Sequence, residues 1–184
     1  AFGKLAIMYP MITSVKEVRA VKQIVSEVKE ELDRQGIEYN TPEQGIMIET
    51  PAAVMISDEL AKEVDFFSVG TNDLIHSLLV SDRYSGKMES SLLPPSVLRC
   101  IYYVIKQAHK QNKPVALCGE VASNPNLIPI WLSFGFTIFS VSPSLVLKAK
   151  KAVCQTIDVN KAIKVQEIFD CTTAEEVDRL INES

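Results

Sequence analysis

Glu63-Val-Asp-Phe-Phe-Ser-Val-Gly-Thr-Asn-Asp-Leu-Ile-His-Ser-Leu-Leu-Val-Ser-Asp-Arg-Tyr-Ser-Gly86 runs an apolar strand straight into Gly-Thr-Asn-Asp, with an Asp-Arg pair shortly after. Phe66, Phe67 and Val69 supply the β-rich run, and Gly70 lets the backbone turn sharply. Asn72 and Asp73 then stand at the strand's carboxyl end, where α/β enzymes keep their chemistry. Two other segments have the same form. Gly45-Ile-Met-Ile-Glu49-Thr-Pro51 puts a carboxylate after a short strand, and Pro114-Val-Ala-Leu-Cys118-Gly-Glu120 puts a thiol and a carboxylate after another.

Working outward, strand-like runs recur at Leu5 to Tyr9, Gly45 to Glu49, Phe66 to Gly70, Pro114 to Cys118 and Thr137 to Val141. Helical patterns separate them. Ser14 and Glu17 form a capping box, the apolar positions Val18, Val21, Ile24, Val25, Val28 and Leu32 keep helical spacing, and Gly36 ends the helix. Thr50 and Pro51 form an N-cap and first-turn pair for a helix to about Lys62, and Ser96 starts another carrying Val97, Ile101, Val104, Ile105 and Ala108. Strands alternating with helices specify a parallel sheet, so the fold class is α/β with a (β/α)8 barrel as its natural parent. A terminal helix beyond Asp158, with a Thr172 to Glu175 box and Val177, Leu180 and Ile181 on one face, is expected on the outside of the barrel.

The chain has 184 residues, 47% of them hydrophobic, enough for one sizeable core, so residues 1–184 are read as a single unit. No repeat beyond the βα alternation, low-complexity tract or flexible linker divides it. Its net charge is −4 with both signs interspersed, so bulk field attracts neither nucleic acid nor an anionic membrane, and an anionic substrate would have to be held locally. Cysteines 100, 118, 154 and 171 lack metal-finger spacing, and no signal-like segment precedes the first strand, which points to reducing cytoplasm. Val121 to Leu147 carries no charge, but Pro125, Pro129, Gly135 and Pro143 break it into a helix and a strand instead of a membrane span. The start at an alanine directly before a strand leads us to expect a piece of a longer protein.

Glu49 and Asp73 lie one βα unit apart, so they project from neighbouring strand ends on one rim. Mg²⁺ commonly takes one or two protein carboxylates and completes its octahedron with water and substrate oxygens, which this pair permits. Alternatively, each carboxylate caps the helix that follows it. Cys118 precedes Gly119, whose missing side chain leaves the thiol accessible, whereas Cys100, Cys154 and Cys171 suit inert packing better.

Taken together, the motifs resemble the phosphoenolpyruvate-utilising enzymes, and most closely the Enzyme I family of the bacterial sugar phosphotransferase system. Ile7-Met-Tyr-Pro-Met-Ile12, Ile48-Glu-Thr-Pro-Ala-Ala53, Asp65 to Leu74, Cys118-Gly-Glu120 and Ser140-Val-Ser-Pro-Ser144 match that family's motifs in order through nearly the whole chain. The resemblance implies a partial (β/α)8 barrel, with the fourth to eighth strands present and the first three βα units absent. It implies Mg²⁺ at Glu49 and Asp73, phosphate contacts from Asn72, Asp73 and Arg83, and Cys118 as the residue that moves a proton at C3 of enolpyruvate. Glu120 would support that site by hydrogen bonding. A guanidinium suits phosphate through two parallel hydrogen bonds, though Arg83 could equally pair with Asp82, and Asn72 could instead shape its loop. An ordinary thiol, with a reference value of about 8.5, is mostly protonated at neutral pH and can act as acid.

The family's phosphorylated histidine lies on a separate N-terminal domain, so neither His76 nor His109 is assigned that role. His76, Ile75, Ser77, Ala116-Leu117 and Ser123 depart from the usual residues and leave the metal, phosphate and proton-transfer positions intact. The implied partners are phosphoenolpyruvate and pyruvate, a phosphocarrier protein and a second copy in a homodimer, with no nucleic acid and no membrane insertion. Two other readings remain open: the barrel of a pyruvate phosphate dikinase or phosphoenolpyruvate synthase, and a catalytically weak dimerisation scaffold. Five strands alone should leave an open barrel with interior side chains such as Ile7, Ile46, Phe67 and Val115 exposed.

Overall fold

The computed structural model describes residues 3–80, 93–158 and 163–183. Five strands form one sheet, all parallel and in sequence order: β1 (Ala6–Tyr9), β2 (Glu43–Ile48), β3 (Phe66–Gly70), β4 (Val115–Cys118) and β5 (Ile138–Ser140). Helix α1 (Val15–Arg34) connects the first pair; α2 (Pro51–Met55) and α3 (Ser57–Glu63) connect the second. Between β3 and β4 lie α4 (Thr71–Leu79) and α5 (Pro95–Lys110), and α6 (Ile128–Phe134) precedes β5. Helices α7 (Val146–Asp158), α8 (Val165–Asp170) and α9 (Ala174–Glu183) complete the chain. Sequential parallel strands with intervening helices are the arrangement of consecutive (β/α)8 barrel units, here open at β1 and β5.

Local chemistry starts the helices. Ser14 accepts the Glu17 backbone N–H at 3.3 Å while the Glu17 carboxylate accepts the Ser14 N–H at 3.0 Å, so the expected capping box is present. Thr50 Oγ1 accepts from Ala53 N at 3.1 Å, but the helix it starts breaks at Ile56 (φ −112°, ψ 22°) and resumes as α3. Helix α5 begins one residue before Ser96, with Pro94 as cap and Pro95 in its first turn. The terminal box falls one residue later than expected: the Glu176 carboxylate accepts the Thr172 and Thr173 N–H groups, and Thr173 Oγ1 accepts from Glu176 N.

The core lies between the sheet and its helices. Ile46, Ile48, Phe67, Val69 and Leu117 are fully buried there, and Trp131 and Phe136 pack edge to face with ring centres 6.3 Å apart. This corrects the expected facing of the strands. Ile46, Phe67 and Val115, which are in register across β2, β3 and β4, point to the buried helical side, and Ile7 is partly buried. Neighbours in a strand face opposite ways, so the barrel-side face carries Met8, Met47, Ser68, Gly70, Ala116, Cys118, Ile138 and Ser140. Met8 and Ile138 are 42% and 47% exposed, so the open face is apolar but built from other residues than those expected. The tail is outside as expected, α8 packing on α5 and α6 and Val177 of α9 buried beneath it. Among the described residues no helix is long and apolar enough to cross a membrane.

Candidate active site

Parallel pairing levels the strand ends. Gly70 is opposite Cys118 and Cys118 is opposite Ser140, while Ile48 pairs with Val69, so Glu49 follows at the level of Gly70. One rim therefore brings together Glu49, the Thr71-Asn72-Asp73 turn and Cys118, as the sequence predicts.

Glu49 is only 2% exposed, and its Oε1 accepts the Met11 N–H at 2.7 Å. Thr50, not Glu49, caps the following helix, so the carboxylate is free of that duty. Its second oxygen lies beside Gly70: a Cβ added there would stand 2.6 Å from Oε2. Glycine at 70 thus lets the Glu49 side chain lie against the β3 backbone, where any larger residue would displace it. Helix α4 has no side-chain cap, its N-cap being Gly70, and Asp73 occupies its first turn, where the positive end of the helix favours a carboxylate. Among the described residues no group of three or more His, Cys, Asp and Glu side chains could hold a metal ion.

Asn72 does more than shape its own loop. Its Oδ1 accepts the Glu120 N–H at 3.0 Å, and the neighbouring Thr71 hydroxyl donates to the Cys118 carbonyl at 2.6 Å. These two bonds latch the first turn of α4 to the segment that follows β4. Gly119 makes the latch feasible: it sits at φ 101°, ψ −178°, a conformation essentially limited to glycine, and an added Cβ would meet the Thr71 hydroxyl and stand 2.7 Å from Asn72 Oδ1. Asn72 is exposed, and with Oδ1 accepting from Glu120 the NH₂ is the donor end of its amide. Glu120 contributes through its backbone, its carbonyl also accepting from Ser123 Oγ at 2.8 Å, while its side chain is exposed.

Cys118 is half-buried. Its Sγ donates to the Val69 carbonyl at 3.2 Å and accepts from the Ser68 hydroxyl at 3.3 Å. Ser68 and Thr71 were not singled out in the sequence, because nothing in a strand's Ser or a turn's Thr marks it without its cross-strand partner. Cys154 is exposed, contrary to the packing role expected of it, and Cys171 is buried, where burial and the nearby acids Glu176 and Asp170 push its thiol up. His109 is on the surface, as expected, its ring beside Gly135. Arg83 lies outside the described residues.

A sequence model of the PEP-utilising enzyme, PEP-binding domain, matches residues 1–157. The chain belongs to that family. The chain is 42% identical to a phosphoenolpyruvate-protein phosphotransferase of Mycoplasma capricolum over 100% of its own length and 32% of that protein. Those from Staphylococcus epidermidis and Enterococcus faecalis are each 40% identical, over 99% and 98% of the chain and 32% of each relative. This PEP-binding domain thus spans about a third of the length of the curated relatives it matches. Solved structures support the fold: a pyruvate kinase from Cryptosporidium parvum superposes with TM-score 0.60 at 14% identity over 83% of the chain and 32% of its own. A citrate lyase from Burkholderia xenovorans gives 0.58 at 18% identity, over 80% and 48%.

Proposed function

We propose that this chain is the phosphoenolpyruvate-binding part of a phosphotransferase that passes the phosphoryl group of phosphoenolpyruvate to a histidine elsewhere in the same protein. From there the group goes to a phosphocarrier protein serving sugar uptake, and pyruvate is released. In this reading β1 to β5 are the fourth to eighth strands of the barrel, and the first three βα units belong to the remaining length seen in the relatives. The whole protein is a cytoplasmic homodimer, and this chain alone turns over little or nothing. The observation that carries the reading is the common rim: two carboxylates, an amide and a thiol at the carboxyl ends of three adjacent parallel strands.

Each group has a role that its surroundings support. Glu49 and Asp73 would hold Mg²⁺; an oxygen-only donor pair at neighbouring strand ends fits such a cation. When bound, the ion neutralises charge on the phosphate and carboxylate oxygens of the substrate. The Asn72 NH₂ binds a phosphate oxygen, its direction fixed by the bond from Glu120 N–H to Oδ1. Arg83 is proposed as a further phosphate ligand. Loss of the phosphoryl group leaves enolpyruvate, and Cys118 protonates it at C3: the S–H bond breaks, a C–H bond forms, and the enolate electrons re-form the carbonyl. The phosphoryl acceptor is outside this chain.

Incubation of the full-length protein with phosphoenolpyruvate labelled in its phosphoryl group, with Mg²⁺, tests the proposal. Acid-labile label on histidine and an equal amount of pyruvate are expected. A folded protein that binds phosphoenolpyruvate and yields neither overturns it.

A further inference from the structure

Ser68 has no part in the roles assigned above, yet its position is specific. It is 4% exposed, on the barrel-side face of β3, and its hydroxyl donates to Cys118 Sγ at 3.3 Å. A buried hydroxyl is costly unless bonded, and alanine or valine would fill a strand position without that cost. The thiol reaches it diagonally: Cys118 pairs with Gly70 and Ser68 with Ala116, so a residue with no side chain and one with a single methyl leave the sulfur free to lean back along β3. The sulfur then has two partners of opposite kind. The Val69 carbonyl at 3.2 Å can only accept, and so holds the S–H proton; the Ser68 hydroxyl can donate, and so suits the sulfur after that proton has gone.

We propose that Ser68 is the positioning residue of Cys118, fixing the thiol rotamer before proton transfer and donating a hydrogen bond to the thiolate that transfer leaves behind. The inference rests on the reading of Cys118 as the proton donor. In the step itself the proton goes from Sγ to C3 and the S–H electron pair stays on sulfur. Ser68 keeps its own proton throughout and touches no substrate atom. Its contribution therefore falls on the chemical step and leaves phosphoenolpyruvate binding alone.

Ser68→Ala in the full-length protein removes only the hydroxyl. The expected result is a kcat for pyruvate formation lower by about ten-fold with KM within about two-fold, and restoration of most of the rate by Ser68→Thr, which keeps the donor. A second readout needs no turnover: at fixed pH, alkylation of Cys118 by iodoacetamide, followed peptide by peptide by mass spectrometry, should slow several-fold in Ser68→Ala, because the thiolate is the reactive form. Unchanged or faster alkylation of Cys118, or a loss confined to KM, overturns the inference. Absence of turnover in the parent protein overturns the functional reading instead, and the alkylation comparison still decides whether Ser68 governs the thiol.

Discussion

Gly119→Ala should damage both the fold and the site, by an amount that the geometry bounds. The residue's φ of 101° with ψ of −178° lies where an alanine costs about 1–3 kcal/mol of backbone strain. The new methyl would also meet the Thr71 hydroxyl and stand 2.7 Å from Asn72 Oδ1. Both of those atoms are committed, to the Cys118 carbonyl and the Glu120 N–H, so relieving the clash breaks two hydrogen bonds of about 1 kcal/mol each. The expected loss is about 3–5 kcal/mol, a fall in melting temperature of roughly 6–20 °C for a domain of this size. Gly36→Ala is the internal control: φ is 66°, but nothing lies within 4 Å of an added Cβ, so left-handed strain alone should cost about 1 kcal/mol. Both variants can be compared with the parent by circular dichroism melts at several protein concentrations. If Gly119→Ala melts no lower than Gly36→Ala, the start of α4 and the segment after β4 are not latched as described.

Asp73→Ala in the full-length protein should abolish Mg²⁺-dependent turnover with the fold retained, and near-normal activity at ordinary Mg²⁺ would remove the residue from the metal site. Glu49→Ala should do the same and also leave the Met11 N–H without its acceptor, costing about 1 kcal/mol or more in a denaturant titration. Cys118→Ala should block pyruvate formation far more than it weakens phosphoenolpyruvate binding; equal losses in calorimetry and single-turnover kinetics would make the cysteine a packing residue. Backbone and hydroxyl hydrogen bonds from Thr13, then Ser14, hold the Glu17 carboxyl below its ordinary value. A lowered folded value means stabilisation that is present at neutral pH and lost as pH falls through that value, so Glu17→Ala should melt lower than the parent at pH 7, and the gap should narrow as the pH is taken below the ordinary carboxylate range.

The strands were legible because each is a short β-rich apolar run ending in glycine, proline or a polar turn, and all five appear within a residue or two of their expected ends. The capping box at Ser14 was legible because its two partners are three residues apart. What escaped was whatever depends on register. Phe66-Phe67 and Ile46-Met47-Ile48 are apolar at successive positions, so alternation does not tell which face meets the helices. Ser68 lies 50 residues from Cys118, and Asn72 lies 48 from Glu120; only the β3–β4 pairing brings them together. A Ser or Asn in isolation gives no sign of such a partner.

The split between the two faces explains why the chemical residues could be found from local motifs while their supports could not. Side chains such as Ile46, Phe67 and Leu117 stabilise the sheet against its helices, and that face requires only apolar volume. The opposite face carries only small residues at Gly70 and Ala116, and Glu49 and Cys118 stand at its rim. Substitutions at Asp73 and Cys118 should therefore separate activity from stability. Gly119 cannot show that separation, because its backbone conformation serves the fold and the loop latch together. A position at which activity and melting temperature fall in step marks where the scaffold and the site share the same atoms.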